Sequence, residues 1–137
     1  MDEYDVFAKR MEGQYPKIFG GRYGGFSCGP GWYPILEKLC ANIQSHIDWK
    51  NEQFEKYSRG EAVPQVVAAQ IKEKFGGLRF YYDGGDDTVR GMVRMAEAWA
   101  VSSCEECGAP GRQRNGGWIR TLCDVHAKAQ DTAQDQE

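Results

Sequence analysis

The sequence holds only two histidines, His46 and His126, in 137 residues. Imidazole chemistry is therefore confined to two positions far apart in the chain. No apolar run approaches membrane-spanning length, which excludes a spanning helix. There is no excess of positive charge: 17 Lys+Arg stand against 20 Asp+Glu, for a formal net charge of −3. A broad basic field able to hold nucleic acid by charge alone is excluded. The start, Met1-Asp2-Glu3-Tyr4-Asp5, is acidic and lacks the apolar core of a secretory signal, so a reducing cytoplasm is expected. The five cysteines are odd in number and fit a disulfide framework poorly.

What is present suits one compact domain. Apolar residues make up 41% and charged residues 27%, enough for a core and too apolar for general disorder. The expected class is α+β: three helices around a short antiparallel β-hairpin, closed by a C-terminal metal module. Tyr4, Phe7, Ala8 and Met11 recur at helical spacing, so residues 2–12 read as a first helix capped by Asp2. Residues 13–31 are dense in glycine and aromatics and read as a loop packed on the surface or engaged in function. Gly20-Gly21-Arg22-Tyr23-Gly24-Gly25 lacks the Lys-Ser/Thr ending of a phosphate loop.

The second helix has the clearest pattern. Trp32, Ile35, Leu36, Leu39, Cys40, Ile43 and Ile47 form an apolar stripe, with Pro34 in the first turn. It spans 31–50 and frays toward 57. Residues 65–83 predict a hairpin: Val67, Ala69, Ile71 and Phe75 alternate before Gly76-Gly77, and Leu78, Phe80 and Tyr82 alternate after it. A helix over 65–75 is the alternative. Asp86 or Asp87 then caps a third helix with Val89, Met92, Val93, Ala96, Trp99 and Ala100 on one face. The domain is expected over 1–129, with the metal module at 104–129 and a disordered tail at 130–137.

Chemistry concentrates near the C-terminus. Cys104 and Cys107 form a C-x2-C pair, and Cys123 and His126 form a C-x2-H pair fifteen residues on. Two intervening residues let a tight turn aim both sulfurs at one ion. Spacing of three in a helix brings Cys123 and His126 to one side. Four such ligands suit a tetrahedral zinc. Gly108 permits the turn after the first pair, Thr121 is the expected helix cap, and Asn115-Gly116-Gly117 reverses the chain between two strands. A knuckle, a hairpin and a ligand-bearing helix resemble a treble clef. With every coordination position filled by protein, the zinc is expected to be structural. No H-x-E motif supplies the acid/base of a zinc deaminase.

Other residues invite functional readings. Cys28 precedes a helix, where a thiol can be activated, but His46 is the only free imidazole to serve it, and packing is the simpler role. Cys40 lies on the apolar stripe. Arg112, Arg114 and Arg120 beside Trp118 suit phosphate contact and base stacking, although Glu105, Glu106 and Asp124 lie near them. Arg79 and Tyr81, and Trp32 and Tyr33, complete the expected partner-binding set, and the many tyrosines leave a homodimer open.

Taken together, Cys28-Gly29-Pro30-Gly31-Trp32-Tyr33, Ile71-Lys72-Glu73-Lys74-Phe75-Gly76-Gly77-Leu78-Arg79-Phe80-Tyr81-Tyr82 and the Cys/His module resemble a family of small, uncharacterised phage and prophage proteins. The resemblance runs from Tyr15 to His126 and assigns no catalytic residue. It implies expression inside a bacterial cell. The implied role is an accessory factor that inhibits or redirects a bacterial host protein or defence system by direct binding. Nucleic-acid binding by the zinc module and capture of a small nucleotide are the alternatives.

Overall fold

The computed structural model describes the backbone of residues 1–135 and the side chains through Gln130. The elements run α1 (Glu3–Gln14), β1 (Phe26–Ser27), a 3-10 turn (Pro30–Trp32), α2 (Tyr33–Tyr57), β2 (Val67–Lys74), β3 (Gly77–Asp83), α3 (Asp87–Ala100), β4 (Arg112–Arg114), β5 (Arg120–Leu122) and α4 (Asp124–Asp135). The class is α+β, as expected. There are four helices rather than three among the described residues, because the metal module carries one of its own. That helix also occupies most of the segment assigned to a tail; residues 136–137 lie outside the described residues.

α2 is the spine. All seven residues of its apolar stripe are buried, Trp32, Leu36, Cys40 and Ile43 completely. The helix runs the full length to Tyr57, where Ser58 turns into the left-handed region at φ 52° and caps it through Gln53 and Phe54. α3 packs beside it and is capped by Asp86, whose carboxylate accepts the Val89 N–H. Val89, Val93, Ala96 and Ala100 face the core, while Trp99 stays half exposed.

The hairpin forms, with two corrections. Both central turn residues have positive φ, and they are Phe75 at 52° and Gly76 at 78°, not the two glycines. Gly77 instead opens β3 opposite Lys74. The inward alternation of Leu78 and Phe80 sets this register. The second correction concerns β2. A bulge between Ala68 and Gln70 breaks the alternation, so Ala68 and Ile71 are buried while Ala69 is exposed.

The sheet also gains a strand that the sequence hides. β1 pairs in parallel with β2, Phe26 opposite Ile71, giving the order β1-β2-β3. The glycine-rich loop before it is core rather than surface dressing. Ile18, Phe19, Tyr23 and Phe26 are buried, and Ile18 accepts the Ala68 N–H through its carbonyl. The free edge at β3 is guarded by side chains: Glu97 accepts the Phe80 N–H, and Arg79 donates to the Leu78 carbonyl.

The metal module is joined to this body at the start of α2. The Gly31 N–H donates to the Glu105 carbonyl at 2.7 Å, the Gly29 N–H to the Glu105 carboxylate, and the Trp32 indole N–H to the Ser103 carbonyl. The backbones touch. A Cβ on Gly31 would lie 2.0 Å from the Cys104 carbonyl oxygen and 2.7 Å from the Cys107 nitrogen. Gly31→Ala is therefore expected to cost at least about 2 kcal/mol through overpacking. Urea denaturation followed by tryptophan emission measures it. A midpoint equal to the parent's would show that the module does not dock on Gly31.

Candidate metal centre

Each ligand-bearing turn is built locally. Ser103 ends α3 through its N–H to the Ala100 carbonyl and delivers Cys104 to the knuckle. There the Cys104 N–H meets the Ala109 carbonyl and the Gly108 N–H meets the Cys104 carbonyl, closing a loop around Cys107. Gly108 sits at φ 82°, a conformation cheap only for glycine. β4 and β5 then pair antiparallel, Arg112 opposite Leu122 and Arg114 opposite Arg120.

Cys123 precedes α4 and fills the capping position expected of Thr121. The His126 N–H points at Cys123 Sγ, and the Ala127 N–H at the Cys123 carbonyl. Thr121 has another task. It is fully buried in β5, and its hydroxyl donates to the Gly76 carbonyl at the tip of the β2–β3 hairpin.

The four expected ligands come together. Cys104 Sγ, Cys107 Sγ, Cys123 Sγ and a ring nitrogen of His126 all lie within 4.8 Å of one another, so one ion can touch all four. Individual edges are 3.8 Å for Cys107–Cys123, 3.6 Å for Cys104–His126 and 3.2 Å for Cys123–His126, with Nδ1 facing the sulfurs. Cys104 and Cys123 are buried, and Cys107 is exposed.

The acid–base chemistry of the cluster calls for a cation. The His126 N–H, aided by the neighbouring groups, brings the Cys123 thiol down to about 6. Cys107 moves the other way. The Ala109 N–H lowers it, but burial and the Cys104 and Cys123 sulfurs outweigh that and raise it. One thiolate is accommodated and the next is opposed. A divalent ion bound by these residues would supply the compensating positive charge.

The remaining expected site residues divide sharply. Trp32 and Tyr33 are core residues, not contact residues: Trp32 is 0% exposed, and Tyr33 stacks on Phe7 with ring centroids 3.9 Å apart. Arg114 is folded back on the Leu122 carbonyl and Asp124, and Arg120 on Glu105 and Glu106. Both arginines therefore brace the module internally. Arg112 is exposed on β4, Arg79 is half-buried on β3, and Tyr81 and Trp118 are exposed, at 41% and 68%.

Neither of the two considered thiols is activated. Burial, with the Glu105 charge, pushes Cys28 up to about 12, and burial does the same to Cys40. His46 is spoken for by Asp86, 2.9 Å away, which ties α2 to the cap of α3. Burial works to raise the Asp86 carboxyl, but the hydrogen bonds from His46 and the Val89 N–H and the nearby Lys50 charge hold it below its usual range.

Sequence reasoning missed two features of this centre. Glu105 was read only as a neighbouring charge, although it receives both Gly29 and Gly31. Phe75 was placed in a strand, although it stands at a hairpin tip held by Gln113, whose amide donates to the Phe75 carbonyl. The Gly-Pro-Gly before α2 was the available signal for the first, because two flanking glycines mark a close backbone approach.

Cys107→Ser is expected to abolish metal binding and lower the melting temperature, and a strong chelator is expected to do the same to the parent. Mass spectrometry under native conditions and a melting curve read both. Retained metal with an unchanged curve would contradict the assignment. No protein-family model, curated protein or solved structure matches this chain.

Proposed function

We propose that this chain is a zinc-stabilised binding protein that catalyses no reaction. The ion is zinc on ligand chemistry. Zn–S bonds of about 2.3 Å and Zn–N bonds of about 2.0 Å at tetrahedral angles require sulfur–sulfur edges of about 3.8 Å and sulfur–nitrogen edges of about 3.5 Å. The 3.8 and 3.6 Å edges match these, and the Cys123–His126 edge of 3.2 Å is a few tenths shorter. Three thiolates and an imidazole suit zinc better than calcium or magnesium, which prefer oxygen.

The observation that carries the reading is closure. Four protein ligand atoms within 4.8 Å of one another would complete a tetrahedron and leave no position for a substrate or an activated water. Zinc then acts on structure. Binding at such sites contributes on the order of 10 kcal/mol in isolated fingers. The module needs that help, because among the described residues its own buried apolar cluster is Cys104, Leu122, Cys123 and Ala127.

A protein so built works through its surface. The exposed members of the expected contact set, Tyr81, Arg112 and Trp118, lie on strands and loops that the module and the sheet hold in place. The resemblance to phage proteins points to a bacterial host protein as partner and to the cytoplasm as the place.

The test is capture from a bacterial lysate by the immobilised, metal-loaded protein, with and without nuclease treatment. The expected result is specific retention that Trp118→Ala abolishes while its melting temperature stays within a few degrees of the parent's. A metal-loaded protein that retains nothing in either condition would overturn the binding-protein reading.

A further inference from the structure

The outer face of the β1-β2-β3 sheet carries charge that the chain as a whole does not. In β2 and β3, Ile71, Leu78 and Phe80 point into the core. Their neighbours must point outward, and the register makes them partners: Gln70 opposite Tyr81, Lys72 opposite Arg79, Lys74 opposite Gly77. Three cations therefore share one face of a chain whose formal charge is −3. The only carboxylate of that parity in the two strands is Asp83, at the far end of β3. Glu73 belongs to the other parity; its carboxylate accepts the Gly76 N–H and is the one acidic group lining the groove at the hairpin tip.

Tyr81 lies on the same face, and two more rings stand at the hairpin tip next to Lys74. The Lys72 ammonium sits 5.8 Å from the Tyr81 ring centre, and Tyr81 remains 41% exposed. At the hairpin tip, Phe75 is 67% exposed and Trp118 is 68% exposed. These two rings, with Glu73, Lys74, Gly117 and Ile119, line a groove of about 320 Å³. Phe75 gains little from burial, yet it occupies a positive-φ position that disfavours a bulky residue. Strain of this kind gathers at working sites. The tip is also firmly held, by Gln113 on the Phe75 carbonyl and Thr121 on the Gly76 carbonyl, so the metal module fixes both sides of the groove.

We propose that this face, from Tyr81 to the Phe75/Trp118 groove, binds single-stranded nucleic acid, with Lys72, Lys74 and Arg79 on phosphates and the rings stacked on unpaired bases. The proposal rests on the reading of the chain as a zinc-stabilised binding protein and supplies its partner class. Lys72 and Lys74 are about 7 Å apart along the strand, close to one backbone step of an extended nucleotide chain. Flat rings in the open reward unpaired bases, which stack, over a duplex, whose bases are hidden. An acidic protein would engage the cations but leave the rings without a planar partner. This interface differs from the one expected at Arg114 and Arg120, which brace the metal module instead.

Fluorescence anisotropy with the full zinc-loaded chain tests it. The probes are a labelled mixed-sequence single-stranded DNA dodecamer, its RNA equivalent, the DNA duplex, and poly-glutamate as competitor. Single strands are expected to bind more tightly than the duplex, with log K falling against log salt at a slope of about −2 for three phosphate contacts. Combined Lys72→Gln, Lys74→Gln and Arg79→Gln should remove that slope. Tyr81→Ala or Trp118→Ala should each weaken binding about tenfold. Lys56→Gln, at the end of α2, should change nothing. Absence of binding by a folded, zinc-loaded sample overturns the proposal, and so does equal loss in Lys56→Gln. Poly-glutamate binding as tight as the single strands assigns the face to an acidic protein and also overturns it. Metal content measured on each sample keeps the two readings apart: nucleic-acid binding by a metal-free chain contradicts the zinc reading alone.

Discussion

The contact between the start of α2 and the Cys104–Gly108 knuckle is the constraint on which the rest depends. Two backbones meet there with no side chain between them. Gly31 donates to Glu105, and its α-carbon faces the Cys104 carbonyl at a distance no Cβ allows. The small module cannot stand on its own core, so its stability has two sources: the ion that would join its four ligands, and this seam. Trp32 couples the seam to the main core, because its ring is fully buried while its N–H reaches the Ser103 carbonyl.

From the seam the consequences run outward. Glu105 is nearly buried; burial raises its carboxyl, while the Gly29 N–H and Arg120 work to hold it ionised. Arg120 and Arg114 are consumed in bracing the module, which leaves Arg112 as the exposed arginine of the β4–β5 hairpin. β5 in turn holds the tip of the β2–β3 hairpin through Thr121. Metal, seam, hairpin tip and sheet face thus form one continuous chain of contacts, and a binding surface without mobile parts needs such support.

The legibility of the sequence tracked the range of the interactions involved. The ligand quartet was readable because C-x2-C and C-x2-H each need only a local turn, and only one pairing of them was available. The α2 stripe was readable because seven positions repeat one period. β1 was not: two residues carry no period, and their pairing with Ile71 and Lys72 is fixed by a contact forty-five positions away. The bulge at Ala69 was hidden for a related reason, since the alternation it interrupts is visible only once Ala68 and Ile71 are seen on the same face. Trp32 was misassigned because an aromatic beside a glycine-rich loop looks the same in sequence whether it closes a core or meets a partner. The outward cations stay hidden in the sequence because Lys72-Glu73-Lys74 mixes both signs until strand parity separates them.

The central claim is that one ion joins Cys104, Cys107, Cys123 and His126 in a tetrahedron. Replacing the native metal with cobalt(II) and recording the absorption spectrum tests it most directly, because cobalt reports both geometry and sulfur ligation. One cobalt per chain is expected, with intense tetrahedral d–d bands and thiolate-to-metal charge transfer of three-sulfur strength that falls in Cys107→Ser. Weak octahedral bands without sulfur charge transfer would contradict it.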